Sequence, residues 1–190
     1  RENPKYDKLE LFYPLSEDTK DKSGNTKDGL GYFIKPGMPG YIGCSSYFPG
    51  PFNSLSFDGT DDYVENTDAS NSSSILFDLS ESDFAISLWF NTSVNNSEML
   101  LLGKEYNQDY KDFSIALNSS GKIIFNTENN GNNHYFTGPS YTINQWNHIV
   151  ASITVSGTSM TVSMYLNGTL QSGSYYSGSS LTTHNNDTYH

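Results

Sequence analysis

Positive charge is scarce in this chain, where 10 Lys and Arg stand against 21 Asp and Glu and leave a net charge of −11. That balance repels a polyanion, so nucleic acid is not an expected partner. Long apolar runs are also missing. No stretch approaches the roughly 18 consecutive apolar residues of a membrane span, and the opening Arg1-Glu-Asn-Pro-Lys5 has no signal-type apolar core. A soluble protein, or a mature or excised piece of a larger one, is expected. Helical spacing fails as well, because no window longer than two turns avoids Gly, Asn or Ser clusters while keeping apolar residues three to four apart. Cysteine is reduced to Cys44, which excludes an intrachain disulfide framework. With no basic neighbour to activate it, Cys44 reads as an inert thiol.

Ionisable Asp, Glu, Lys and Arg stop altogether between Asn129 and Asn186, where Ser, Thr, Asn, Gly and Tyr crowd instead. Ordinary domains keep about a quarter of their residues charged, and that charge holds neighbouring molecules apart. Covalent glycans or burial in an assembly are the two substitutes. Asn71, Asn91, Asn95, Asn118, Asn167 and Asn186 each open an N-glycosylation tripeptide. Any one of them arises readily by chance in so Asn- and Ser-rich a chain, but the cluster favours an exported glycoprotein, placed outside the cell or on its surface.

Strand signals fill the chain. Phe84-Ala-Ile-Ser-Leu-Trp-Phe90, Asp112 to Leu117, Lys122 to Phe125, Trp146 to Val155 and Met160 to Leu166 are β-branched or aromatic runs, several alternating apolar with polar. Asn118-Ser-Ser-Gly121, Ser156-Gly-Thr158 and Asn167-Gly168 supply turns between them. Short hairpins give antiparallel sheets, and a second sheet most simply covers the apolar faces, so the fold expected is all-β: an antiparallel two-sheet β-sandwich. Leu9 to Leu15 reads as a further strand. Ser16 to Gly31 reads as a charged turn region, and Lys35 to Pro51, dense in Pro and Gly, as a long ordered loop.

The order of these signals resembles the laminin-G-like, concanavalin A-like jelly-roll domains of bacterial and archaeal surface proteins. Leu11-Phe-Tyr-Pro-Leu15 with Asp21-Lys-Ser-Gly-Asn25 comes first, followed by Leu55-Ser-Phe-Asp-Gly-Thr-Asp-Asp-Tyr-Val64. Phe84 to Phe90, Gln145-Trp-Asn-His-Ile-Val150 and Met164-Tyr-Leu-Asn-Gly168 follow in the family's order. The resemblance implies a jelly roll over residues 9–190 behind an extension or linker at 1–8. It also implies a last strand or two beyond His190, supplied by further chain or by a neighbouring subunit beside Leu9 to Leu15. From the residues themselves, Phe57 and Tyr63 bracket a turn that joins two strands, and Trp89 and Trp146 read as inward-facing core aromatics.

Catalysis has no visible apparatus in the sequence. The carboxylates cluster in turns rather than alternating along one strand toward a cleft, and His134, His148, His184 and His190 lack metal-type spacing or a nucleophile elbow. No enzyme is expected. Calcium is the candidate ion, since the resemblance implies one at a sandwich rim; Asp58, Asp61 and Asp62 are the candidate ligands by local density, although Asp-Gly-Thr-Asp-Asp is equally good turn chemistry. Tyr106, Asn107, Asp109 and Tyr110, with Asn132, Asn133, His134 and Tyr135, form two Tyr- and Asn-rich loop segments suited to a sugar or a protein surface. The expected function is a non-catalytic extracellular adhesion or assembly module whose partners are glycans, other surface proteins or further copies of itself. Its rivals are a carbohydrate-binding module of a larger secreted hydrolase and a structural subunit of a surface layer, filament or viral appendage.

Overall fold

The computed structural model describes residues 12–13, 15, 19–25, 28–32, 35–39, 53–66, 83–107, 110–129, 132–176 and 181–182. Its chain divides into two compact units, residues 1–77 and 78–190. In the first, β1 (Leu30–Tyr32), β2 (Lys35–Pro39), β3 (Asn53–Ser56) and β4 (Tyr63–Glu65) make two antiparallel pairs, β1 with β4 and β2 with β3. Tyr32 and Tyr63 face each other across β1 and β4 with ring centroids 4.5 Å apart.

Three expectations need correction in this unit. Phe12, Tyr13 and Leu15, the described part of the Leu9 to Leu15 segment, form no strand. Leu15 takes a left-handed φ of 51°, and Phe12 instead donates its N–H to Asp21 Oδ1 and accepts one from Lys22, so local hydrogen bonds replace a ladder. Lys35–Pro39 is a strand despite its prolines, because a register shift between Pro36 and Met38 accommodates them. The Asp58 to Asp62 turn links β3 to β4, yet these two strands pair with different partners rather than with each other.

The second unit carries β5 (Phe84–Phe90), β6 (Met99–Asn107), β7 (Tyr110–Leu117), β8 (Lys122–Asn129) and β9 (Asn132–Ser140). It continues with β10 (Asn147–Ser156), β11 (Ser159–Leu166), β12 (Thr169–Gln171), β13 (Ser174–Tyr175) and β14 (Leu181–Thr182). One sheet runs β12-β11-β10-β5, with β14 also on β11; the other runs β13-β9-β8-β7-β6. Every pairing is antiparallel, as hairpin-rich sequence predicts. No described residue is helical.

Period-2 alternation decides what each strand buries. Ile149, Ala151 and Ile153 of β10 and Met160, Val162 and Met164 of β11 point inward from the first sheet, meeting Phe113, Ile115, Leu117, Ile123, Phe125 and Phe136 of the second. Full burial of one such side chain contributes about 1.5 to 3 kcal/mol. The faces interlock at named points: Phe84 lies 6.0 Å from Phe113, and Phe90 sits edge-on to Tyr141 at 5.5 Å. Tyr175 Oη accepts the Val162 N–H at 2.9 Å. The expected all-β, two-sheet antiparallel β-sandwich is therefore the observed architecture.

Candidate functional site

Two places in the molecule concentrate the polar and aromatic groups that a ligand needs, and a third gathers carboxylates. The first lies at one end of the second sheet. Asn107 pairs with Tyr110, Tyr110 with Asn129, and Asn129 with Asn132, so the register draws the β6–β7 and β8–β9 hairpins into one row. Strands spaced about 4.8 Å apart make that row roughly 14 Å wide. Backbone register thus brings Tyr106, Asn107 and Tyr110 near Asn132 and Asn133; their side chains, and Asp109 as a whole, lie outside the described residues. His134 and Tyr135 follow along β9. Tyr135 is half-buried and stacks on Tyr176, which is 66% exposed, with centroids 4.7 Å apart.

The third place is the β3–β4 turn. One carboxylate oxygen from each of Asp58, Asp61 and Asp62 falls within 4.8 Å of the others. Asp62 Oδ2 accepts the Asp58 N–H at 2.7 Å, Asp58 Oδ1 accepts the Thr60 N–H at 2.8 Å, and Gly59 takes φ 78°, so the turn has its own reason to exist. An all-oxygen, three-carboxylate set suits a hard cation such as calcium.

The second place was not expected. Trp89 is not core but 46% exposed, because Phe84, Ile86, Leu88 and Phe90 take the inward positions of β5 and leave Ala85, Ser87 and Trp89 outside. Trp146 is half-buried and precedes β10 rather than lying in it. Across the register His148 of β10 stands opposite Trp89, and the two rings stack at 4.5 Å with 19° between their planes. Ser87 Oγ is 2.8 Å from His148 Nε2. Burial pushes the His148 imidazole below its ordinary pKa, which favours the neutral ring at neutral pH. The signal was present in the alternation of Phe84 to Phe90, where the smallest residues share the parity of the tryptophan.

Of the glycosylation candidates, Asn91, Asn95 and Asn167 are exposed in connections. Asn167 turns the β11–β12 hairpin at φ 51° while its Oδ1 accepts the His148 N–H. Asn118 is half-buried, its Oδ1 accepting from Ser120 and Lys122. Asn71, Asn186 and Cys44 lie outside the described residues.

Comparison with known proteins agrees with this architecture. The family model described as the concanavalin A-like lectin/glucanases superfamily, a laminin-G type, matches residues 58–190. No curated protein matches, and no solved structure does.

Proposed function

The chain belongs to the concanavalin A-like lectin/glucanases superfamily, and on that premise we propose that it is a non-catalytic binding module of an extracellular, glycosylated surface protein, working in adhesion or assembly. Laminin-G-like domains are typically non-catalytic and commonly extracellular. The observation that carries the reading is the outward face of β5, β10 and β11. Ala85, Ser87, Val150, Ser152, Thr154, Ser159, Thr161, Ser163 and Tyr165 occupy it with Trp89 and His148, and neither Asp, Glu, Lys nor Arg appears among the residues of those strands. Such a face suits uncharged partners, glycans or other surface proteins. Two of the described acidic groups have structural employment: Asp83 accepts the Val155 N–H at 2.8 Å, and Lys20 holds Asp28 at 2.6 Å. That contact keeps the Asp28 carboxyl below its ordinary pKa.

Exposed Asn91, Asn95 and Asn167 support export, since an attached glycan there meets solvent. Calcium at Asp58, Asp61 and Asp62 belongs to the same proposal. The test is to incubate the purified chain with arrayed glycans and extracellular glycoproteins while measuring release of reducing ends and sedimentation. Binding without release is expected. Release of reducing ends would overturn the non-catalytic reading, and concentration-dependent polymerisation without binding would replace it with a structural subunit.

A further inference from the structure

Lys122 opens β8 half-buried, and the β7–β8 turn fixes its main chain on both sides: its N–H donates to Asn118 Oδ1 and its carbonyl accepts the Asn118 N–H, each at 2.9 Å. Its ammonium has no such partner. Among the described residues no carboxylate lies within ion-pair reach of it, whereas Lys20 has Asp28. Between Phe113 and Asn186 the sequence holds one other Asp, Glu, Lys or Arg, which is Glu128, and that residue stands about 20 Å further along β8. A cation partly withdrawn from water without a counter-charge is costly, and lysines so placed are ordinarily paired.

Beside Lys122 the ladder opens. Lys122 pairs with Ser140 and Ile124 with Thr137, so β9 carries one residue more than β8 between these points and bulges at Gly138 and Pro139. Thr137 pairs on its other side with Ser174 of β13. The result is an open recess of about 280 Å³ lined by Lys122, Thr137, Gly138, Ser172, Gly173 and Ser174. A Cβ on Gly138 would fall on Met164 Sδ and one on Gly173 on the Phe136 ring, so packing behind the wall demands both glycines and leaves bare main chain at the surface. One ammonium and three hydroxyls thus line a space smaller than the roughly 300 to 1,000 Å³ that encloses a whole small ligand. It takes a head group whose remainder stays outside. A phosphate group brings about 1.5 to 2 negative charges against one ammonium, in a chain already at −11, and no Arg stands in the recess to make the forked contacts a phosphate favours. A carboxylate brings one charge. No aromatic side chain lines the recess either, so nothing there stacks on a sugar ring.

Beyond the module reading and independently of it, we infer that the recess beside Lys122 is a binding site for a single carboxylate on a short neutral stem, delivered by an acidic side chain or the C-terminus of a partner protein. The test follows the amide resonances of Gly173 and Ser174 in the full chain during titration. N-acetylglycine stands for a C-terminus and N-acetylglutamate α-methylamide for an acidic side chain, with N-acetylglycinamide, methyl glucuronide and inorganic phosphate for comparison. Both resonances shift to saturation with at least one of the first two, the tighter of which names the source, and stay in place with N-acetylglycinamide. Lys122→Gln weakens that binding about tenfold or more, as the loss of a charge-assisted hydrogen bond does, and Lys122→Arg retains most of it. Equal shifts with the neutral amide, tighter binding of phosphate, or binding unchanged in Lys122→Gln overturns the carboxylate site, as does a chain whose Gly173 and Ser174 answer to neither carboxylate. Tighter binding of methyl glucuronide makes the ligand an acidic glycan and overturns the protein assignment. The neutral-amide comparison needs no variant, so it decides even where Lys122→Gln fails to fold. The module reading fails separately, on release of reducing ends.

Discussion

Asn147 spends its whole side-chain amide on the backbone of one loop. It is 1% exposed, its Nδ2 donates to the Thr142 and Gln145 carbonyls at 2.8 and 2.9 Å, and its Oδ1 accepts the Thr142 N–H at 3.2 Å. Each backbone group left unpaired in such a place costs about 1 to 3 kcal/mol. Asn147→Ala is expected to lower stability by roughly 2 to 4 kcal/mol in a urea titration, and an unmoved midpoint would show that water replaces the amide. His148 gives a pH dependence. Its folded pKa lies below the unfolded value of about 6.5, so between the two the unfolded chain binds more protons and stability rises with pH, being complete above 6.5 and falling on acidification. Subtracting the melting curves of His148→Phe isolates that fall; identical pH profiles would contradict it. The Asp58 to Asp62 cluster is read by calcium: at 100 times its dissociation constant the ion stabilises by about 2.7 kcal/mol. Chelation is expected to lower the melting temperature and Asp62→Ala to remove the effect, whereas melting indifferent to chelator leaves a turn.

Elements were more legible in the sequence than the faces they present. The runs from Asp112, Lys122, Trp146 and Met160 became β7, β8, β10 and β11 because hydrophobic period and turn chemistry agree there, and Asn167-Gly168 turns as such a dipeptide should. Trp89 was misplaced for the opposite reason, since large aromatic area suggests burial while strand parity forbids it. The Trp89–His148 stack was invisible because it depends on a strand register set by loop lengths and by a partner more than fifty residues away, whereas the Asn147 bonds stay within five residues and depend on how the loop before β10 folds back. The two-residue strand β13 shows how close such contacts run. A Cβ at Gly173, just before it, would lie 2.6 Å from the Thr137 carbonyl oxygen and against the Phe136 ring. Gly173→Ala is therefore expected to cost about 1 to 3 kcal/mol by overpacking, with thermal unfolding as the measurement; a neutral result would mean that β13 shifts without penalty.

For the whole molecule the governing quantity is the net charge of −11, with a pI near 4.5, carried entirely outside the Asn129 to Asn186 stretch. Near pH 4.5 the repulsion between copies vanishes, and faces built of Ser, Thr and Tyr are left to meet. Light scattering is expected to report association there and a monodisperse solution at pH 7; the same particle size at both would mean that charge is not what keeps copies apart. The borders of the sheets set the form that such association takes. β5 runs its seven residues against β10 without a register shift, while β12 and β13 are short and β6 is broken by shifts at Leu100/Leu102, Lys104/Glu105 and Glu105/Asn107. Among the described residues only one border is long and regular enough for strand addition. A fibre grows by joining two different surfaces of each copy, whereas a single surface shared by both copies closes on a two-fold axis. Copies joined through β5 therefore stop at two, and whatever else each carries is then presented in duplicate, so that weak contacts with a repetitive surface multiply into avidity.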